Sequence, residues 1–187
     1  MRDVVAHLIV TLDGVVELES VRAAIVQLSA GKVEADMSRQ LKEEDAMILG
    51  RKTYDAWSQF WPLSDIQPFA DHINSVRKFV VTRSLKEAPW GRAGSATVLS
   101  GDLRKSVRKL KSQRGKTIGI HGSPSVVRSL LRSHLIDRLH LMQVPIVAGS
   151  GGHLFDGEFS SQRMKLVDLI RNPNGVLGIT YQPAGPL

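Results

Sequence analysis

The chain has 187 residues, 42% of them apolar and only 5% aromatic, which predicts one domain, residues 1–187, around a core of Leu, Val and Ile. It contains no cysteine, which excludes disulfides, thiolate nucleophiles, zinc–cysteine sites and iron–sulfur clusters, so redox chemistry would need a bound organic cofactor or a metal held by His and carboxylates. The net charge of +7 divides into −5 over residues 1–75 and +12 over residues 76–187, an asymmetry that points to an anionic partner: nucleic acid, a phosphorylated substrate or a phosphorylated cofactor.

Residues 4–11 (VVAHLIVT) are a near-continuous apolar run rich in β-branched residues, the pattern of a strand buried on both faces in a parallel sheet. The run is too short for a signal peptide and has no small-residue cleavage site. No segment reaches the ~20 apolar residues of a membrane span, so the chain is read as cytoplasmic. LDG at 12–14 ends the strand. Residues 20–31 predict a helix with Ser20 as cap and Gly31 as stop, and residues 35–44 a second helix. AMILG (46–50) predicts a short buried strand, and KTYDAWSQF a helix straight after it. Pro62 and Pro68 bracket a loop. Strands are expected over 77–84 and 95–100, then a basic helix over 102–113 whose Leu103, Val107 and Leu110 form one apolar stripe. A strand over 117–121 leads into a helix over 123–134, with Ser123 at the cap and Pro124 at the first helical position. A strand over 137–147 follows, then two final strands, 164–170 and 175–182, joined by the turn RNPNG. Strands alternating with helices before a closing strand pair predict an α/β fold. Its mostly parallel sheet has about eight strands, helices on both faces and an antiparallel C-terminal edge.

Ligands of open parallel sheets bind beyond the carboxyl ends of the strands, so three strand ends are candidates for one pocket. At 49–55 (LGRKTYD), Gly50 permits a sharp turn. Arg51, Lys52 and Thr53 then lie at a helix N-terminus, where free N–H groups and the helix dipole favour a phosphate; the alternative is a turn with solvated charges. At 80–84, Thr82, Arg83 and Ser84 suit a second phosphate, gripped by paired guanidinium donors, or form an ordinary polar turn. At 120–127 (IHGSPSVV), Gly122 precedes a capped helix start, a geometry for cradling a pyrophosphate, although it is not the G-x-G-x-x-G of dinucleotide folds. His121 either contacts a ligand or packs at the strand end. AGSGG at 148–152 is a lid or a plain loop. The six histidines are scattered in sequence with no pair at ligand spacing, so no metal site is expected. There is no G-x-S-x-G elbow.

Five stretches resemble, in order, the dihydrofolate-reductase-like superfamily: VTLDGVVE (10–17), DAMILGRKTYDAWSQFWP (45–62), KFVVTRSL (78–85), IGIHGSPSVVRSLL (118–131) and LIDRLHLMQVPIVAGSGGHLF (135–155). Over about residues 4–182, the chain is most similar to stand-alone relatives of the reductase domain of bacterial riboflavin biosynthesis, the RibD C-terminal domain. The resemblance implies an NADPH-dependent oxidoreductase that transfers a hydride to a small molecule, similar to 5-amino-6-(5-phosphoribosylamino)uracil reductase. It implies that Gly50, Arg51, Lys52 and Thr53 bind cofactor phosphates, and that Thr82, Arg83 and Ser84 lie by the adenosine 2′-phosphate. It implies that His121, Gly122, Ser123, Ser125 and Val126 cradle the pyrophosphate, and that Val10, Thr11 and Asp13 lie near the nicotinamide and the substrate. Asp13 is the candidate for contacting the substrate or relaying the proton, and equally for capping the turn after the first strand.

Two departures bear on the substrate. Dihydrofolate reductases carry a glycine pair where this chain has His121-Gly122. None of Glu19, Glu34 and Asp36 matches the carboxylate that folate reductases place on their first long helix. A folate or pterin reductase is therefore an alternative on the same fold. A nucleotide- or nucleic-acid-binding module is another, resting on the basic run Arg104, Lys105, Arg108, Lys109, Lys111, Arg114 and Lys116, which lacks interleaved aromatics for stacking. Relatives of the riboflavin type are often dimers, and two apolar C-terminal strands offer a surface, so a homodimer is expected.

Overall fold

The computed structural model describes residues 1–17, 38–92, 94–155 and 159–186. In chain order the elements are β1 (Val4–Val10), β2 (Glu44–Gly50), α1 (Arg51–Phe60), a 3₁₀ turn (Trp61–Leu63), α2 (Phe69–Ser75), β3 (Arg77–Val81), β4 (Ala88–Trp90) and β5 (Gly94–Leu99). Then come α3 (Leu103–Lys111), β6 (Thr117–His121), α4 (Pro124–Arg132), β7 (Arg138–Gln143), β8 (Gln162–Arg171) and β9 (Leu177–Pro186). The strands form one nine-stranded sheet in the order β4-β5-β3-β2-β6-β1-β7-β9-β8. Strands β5, β3, β2, β6, β1 and β7 run parallel, while β4 at one edge and the β9-β8 pair at the other are antiparallel. No described helix is long and apolar enough to cross a membrane.

Both faces of the central strands are covered, which is why their sequences read as unbroken apolar runs. On one face Val4, Ala6, Leu8, Ala46, Ile48, Ile118 and Ile120 meet Val107 and Leu110 of α3 and Val126, Val127, Leu130 and Leu131 of α4. On the other, Met47, Leu49 and Val80 meet Tyr54 of α1 and Phe69 and Ile73 of α2. Each of the larger side chains, Val, Leu, Ile, Met and Phe, contributes about 1.5–3 kcal/mol on burial. The second face changes character toward β1. There Gly119 and His121 of β6 stand beside Val5 and His7 of β1, which stand beside Arg138 and His140 of β7.

Several boundaries differ from the sequence expectation. The sheet gains β4, a three-residue edge strand that contains Pro89 and reads as a break in sequence; an edge position tolerates the missing N–H. Its Trp90 is buried, and the Pro89 carbonyl accepts a 2.7 Å hydrogen bond from Tyr54 Oη. Directly after the loop bracketed by Pro62 and Pro68 lies α2, too short for its apolar periodicity to register. The expected helix over 35–44 is helical at 38–42, but Glu44 already opens β2. The strand expected over 137–147 stops at Gln143, two residues before Pro145, which cannot donate to a ladder. The helix expected over 20–31, with Ser20 and Gly31, lies outside the described residues, as do Glu19, Glu34 and Asp36.

Candidate functional site

Adjacent parallel strands β3, β2, β6 and β1 place their carboxyl ends along one edge of the sheet. The four candidate segments therefore share that edge. The tightest junction is between the N-termini of α1 and α4. Thr53 Oγ1 and Ser123 Oγ are 3.0 Å apart. A side chain at Gly50 would overlap the Ser123 side chain, and a Cβ on Gly122 would stand 3.0 Å from Thr53 Oγ1. Gly122 also has φ +65°, a left-handed conformation that glycine adopts without steric cost.

Ser123 occupies the N-cap position of α4, as expected, but it makes no side-chain cap bond to that helix. Its left-handed φ of +57° accompanies a hydroxyl bonded to Thr53 instead. Gly50, the N-cap of α1, has no capping side chain, and neither helix carries an acidic residue in its first turn. Two helix ends without side-chain caps thus converge, each presenting the positive end of its dipole. Ser125 is exposed beside them. Val126 points its side chain into the core and bonds its N–H to the Ser123 carbonyl at 2.9 Å.

Next to this junction, Arg51 ties the start of α1 to the turn after β3. Its Nε donates to both Asp55 oxygens at 2.8 Å, and its Nη1 to Ser84 Oγ at 2.8 Å. Thr82 is buried and folds its own turn, accepting from the Ser84 and Leu85 N–H groups at 3.2 and 3.4 Å. Lys52 and Arg83 are exposed, and neither has an ion-pair partner among the described residues.

At the end of β1 the polar groups are internally satisfied. The Val10 carbonyl accepts from Val144 N–H, Thr11 N–H donates to the Val15 carbonyl, and the Thr11 carbonyl accepts from Gly14 N–H. Of the two roles open to Asp13, the geometry supplies the turn and loop contacts. Its carboxylate accepts from Thr11 Oγ1 at 2.5 Å, Ala148 N–H at 3.1 Å and Gly149 N–H at 2.8 Å. The Thr11 hydroxyl, then the two amides, hold its carboxyl down at about 2, which makes it a poor proton donor near neutral pH. The AGSGG segment is accordingly braced: Val16 N–H donates to Gly152 O, and Val15 pairs with His153 across an isolated bridge.

The sequence reading missed a cluster on the second face. The His7 and His121 rings stack with centroids 4.8 Å apart and planes 10° apart, and His7 lies 5.7 Å from His140. Glu44, almost wholly buried, accepts a 2.8 Å contact from His121 Nε2 through Oε2 and has His72 Nε2 at 3.5 Å from Oε1. Glu44 can lie across the sheet because residue 119 is glycine; a methyl there would overlap its carboxylate. Burial alone would raise the Glu44 carboxyl, but His121, His72 and His7 outweigh it and hold it down at about 2. Burial pushes His7 well below its usual range, and the neighbouring His121 adds to the effect. Trp57 of α1 packs against His121 with centroids 5.7 Å apart. Beside the cluster, a polar cavity of about 250 Å³ is lined by His7, Arg39, Gln40, Arg138, His140 and Asp168, among others. The signal for this cluster is strand order: only the insertion of β6 between β2 and β1 brings Glu44, His121 and His7 together.

Comparison with known proteins agrees with this architecture. The RibD C-terminal domain family model matches residues 2–177. The uncharacterized protein YyaP of Bacillus subtilis (strain 168) is 26% identical over 185 residues, covering 96% of this chain and 94% of its own. A pyrimidine reductase-like protein from Corynebacterium diphtheriae superimposes with a TM-score of 0.70 at 21% identity, covering 97% of this chain and 92% of its own. A diaminohydroxyphosphoribosylaminopyrimidine deaminase/5-amino-6-(5-phosphoribosylamino)uracil reductase from Thermotoga maritima superimposes at 0.68 and 16% identity, over 98% of this chain and 57% of that longer one. The dihydrofolate reductase of Schistosoma mansoni shares the fold at 0.60 and 11% identity, over 97% and 98% of the two chains.

Proposed function

Because the chain belongs to the RibD C-terminal domain family, we propose that it is an NADPH-dependent reductase that delivers a hydride to a small molecule related to the pyrimidine intermediates of riboflavin biosynthesis. The observation that carries this reading is the convergence of two uncapped helix N-termini at the carboxyl edge of the sheet, with the side chains of Lys52 and Arg83 exposed beside them.

The residues fit the phosphates of a dinucleotide. The N–H groups of two helix ends and the dipoles behind them favour a pyrophosphate. No carboxylate in either first turn opposes it, and glycine at 50 and 122 keeps side chains out of the junction. Arg51 holds the Ser84 hydroxyl in place, while Thr82 folds the turn that presents Arg83. In this reading Arg83 and Ser84 grip the 2′-phosphate, and Asp13 acts as a positioning residue that fixes the 148–149 loop beside the end of β1. Bound NADPH supplies the hydride. The protein's part is to orient the donor face and to exclude water from it.

Calorimetric titration with NADPH and, separately, NADH tests the site. Micromolar binding of NADPH with much weaker binding of NADH is expected. Replacing Arg83 by Ala should remove a charge-assisted bond of about 1.5–3 kcal/mol, roughly a 10- to 150-fold loss for NADPH with little change for NADH. Failure of both nucleotides to bind would sink the reductase reading. Equal losses for both would remove Arg83 from 2′-phosphate recognition.

A further inference from the structure

The side chains of Glu44, His7, His121 and His72 form the most concentrated set of ionisable groups in the described interior. One donor atom each from His7, Glu44 and His121 lies within 4.8 Å of the others. Glu44 Oε1 and His72 Nε2 face each other at 3.5 Å, and both are buried with no hydrogen bond among the described residues. A carboxylate is rarely left buried with an unpaired oxygen, because removing it from water is costly unless a cation or a full set of donors compensates.

We propose that His7, Glu44 and His121 form a binding site for a divalent transition-metal ion of the zinc, cobalt or nickel class. Two imidazole nitrogens and one carboxylate oxygen are the donor set such ions take, and three protein ligands leave a coordination position open. Bonds of about 2.0–2.2 Å in a tetrahedron put ligand atoms roughly 3.4 Å apart. The observed separations, from 2.8 Å between His121 and Glu44 to at most 4.8 Å across the set, bracket that value. Because the His7 and His121 rings stack at 10°, one of them must turn out of the stack to aim both nitrogens at the ion. With Oε2 on the ion, Oε1 would face His72, which becomes the outer partner that orients the carboxylate. Gly119 is what leaves room for the carboxylate, and Trp57 packs behind His121. His7 also lines the polar cavity with Arg39, His140 and Asp168, which places the proposed ion beside that cavity. This site does not depend on the reductase reading, and its test uses no nucleotide.

The test is titration of chelator-stripped, tag-free protein with Co²⁺ and Zn²⁺, followed by calorimetry and by the visible absorption of bound Co²⁺. One ion per chain is expected, with a Co²⁺ spectrum of four- or five-coordinate type. Glu44→Gln and His121→Phe should each weaken binding at least tenfold, while His134→Ala, remote from the cluster, leaves it unchanged. Should a cluster variant fail to fold, the histidine ring resonances of the parent protein decide instead: Zn²⁺ should shift those of His7 and His121 before those of His134 and His153. No saturable uptake, unchanged affinity in a folded Glu44→Gln variant, or first shifts at His134 or His153 would overturn the proposal and leave the cluster as a hydrogen-bonded pair with packed histidines.

Discussion

Asp13 accepts two hydrogen bonds from the loop at the mouth of the sheet and a third from the Thr11 hydroxyl, and its charge strengthens all three. Its folded-state carboxyl lies at about 2, below the ordinary value of about 3.9. The depressed value means the native state binds fewer protons, so the clasp contributes in full above about pH 4 and is lost as pH falls through 2. An NMR titration of the Ala148 and Gly149 amides should therefore show a midpoint near 2. A midpoint near 4 would show that the carboxylate does not hold those amides in solution. The same argument explains why a conspicuous Asp beside a strand end was read two ways from sequence. Its residue type suits both proton transfer and turn capping, and only the positions of Ala148 and Gly149 separate the two.

Helices α1 and α4 meet through the shortest side chains available, and the meeting depends on the left-handed Gly122. A Gly122→Ala substitution should cost about 1–2 kcal/mol from backbone strain alone, read as a lower denaturation midpoint with an unchanged slope. It should also weaken NADPH binding more than the loss of stability accounts for, because the new methyl presses on Thr53. Tight binding in a folded variant would show that the junction does not set the phosphate site. The strand ends around this junction were legible in sequence because each couples a buried run to a glycine or a polar turn. Strand β4, helix α2 and the Glu44–histidine cluster were not. The first two are too short to show a period, with Pro89 and Pro68 reading as breaks. The cluster depends on which strands become neighbours, and nothing in the spacing of His7, Glu44 and His121 along the chain encodes that.

At the scale of the whole molecule, the sheet is closed by two unlike edges. Strand β4 is short and carries a proline, which blunts pairing. Strand β8 is ten residues long and exposes Leu166, Val167 and Leu169, the kind of edge that pairs with another chain. We propose that β8 is where a second copy docks. Light scattering should give twice the chain mass for the parent protein and a single-chain mass for the Leu166→Glu/Leu169→Glu variant; a monomeric parent would reject the dimer. The position of β1 has a further consequence, for synthesis. Strand β1 is flanked by β6 and β7, so neither of its edges can pair until β6 has been made, roughly 6–22 s later at 5–20 residues per second, and the second edge waits longer for β7. Throughout that interval an eight-residue apolar segment waits with both faces and both edges open. Nascent chains of this protein should therefore lean on holding chaperones, and folding should be gated by distant contacts rather than by local ones.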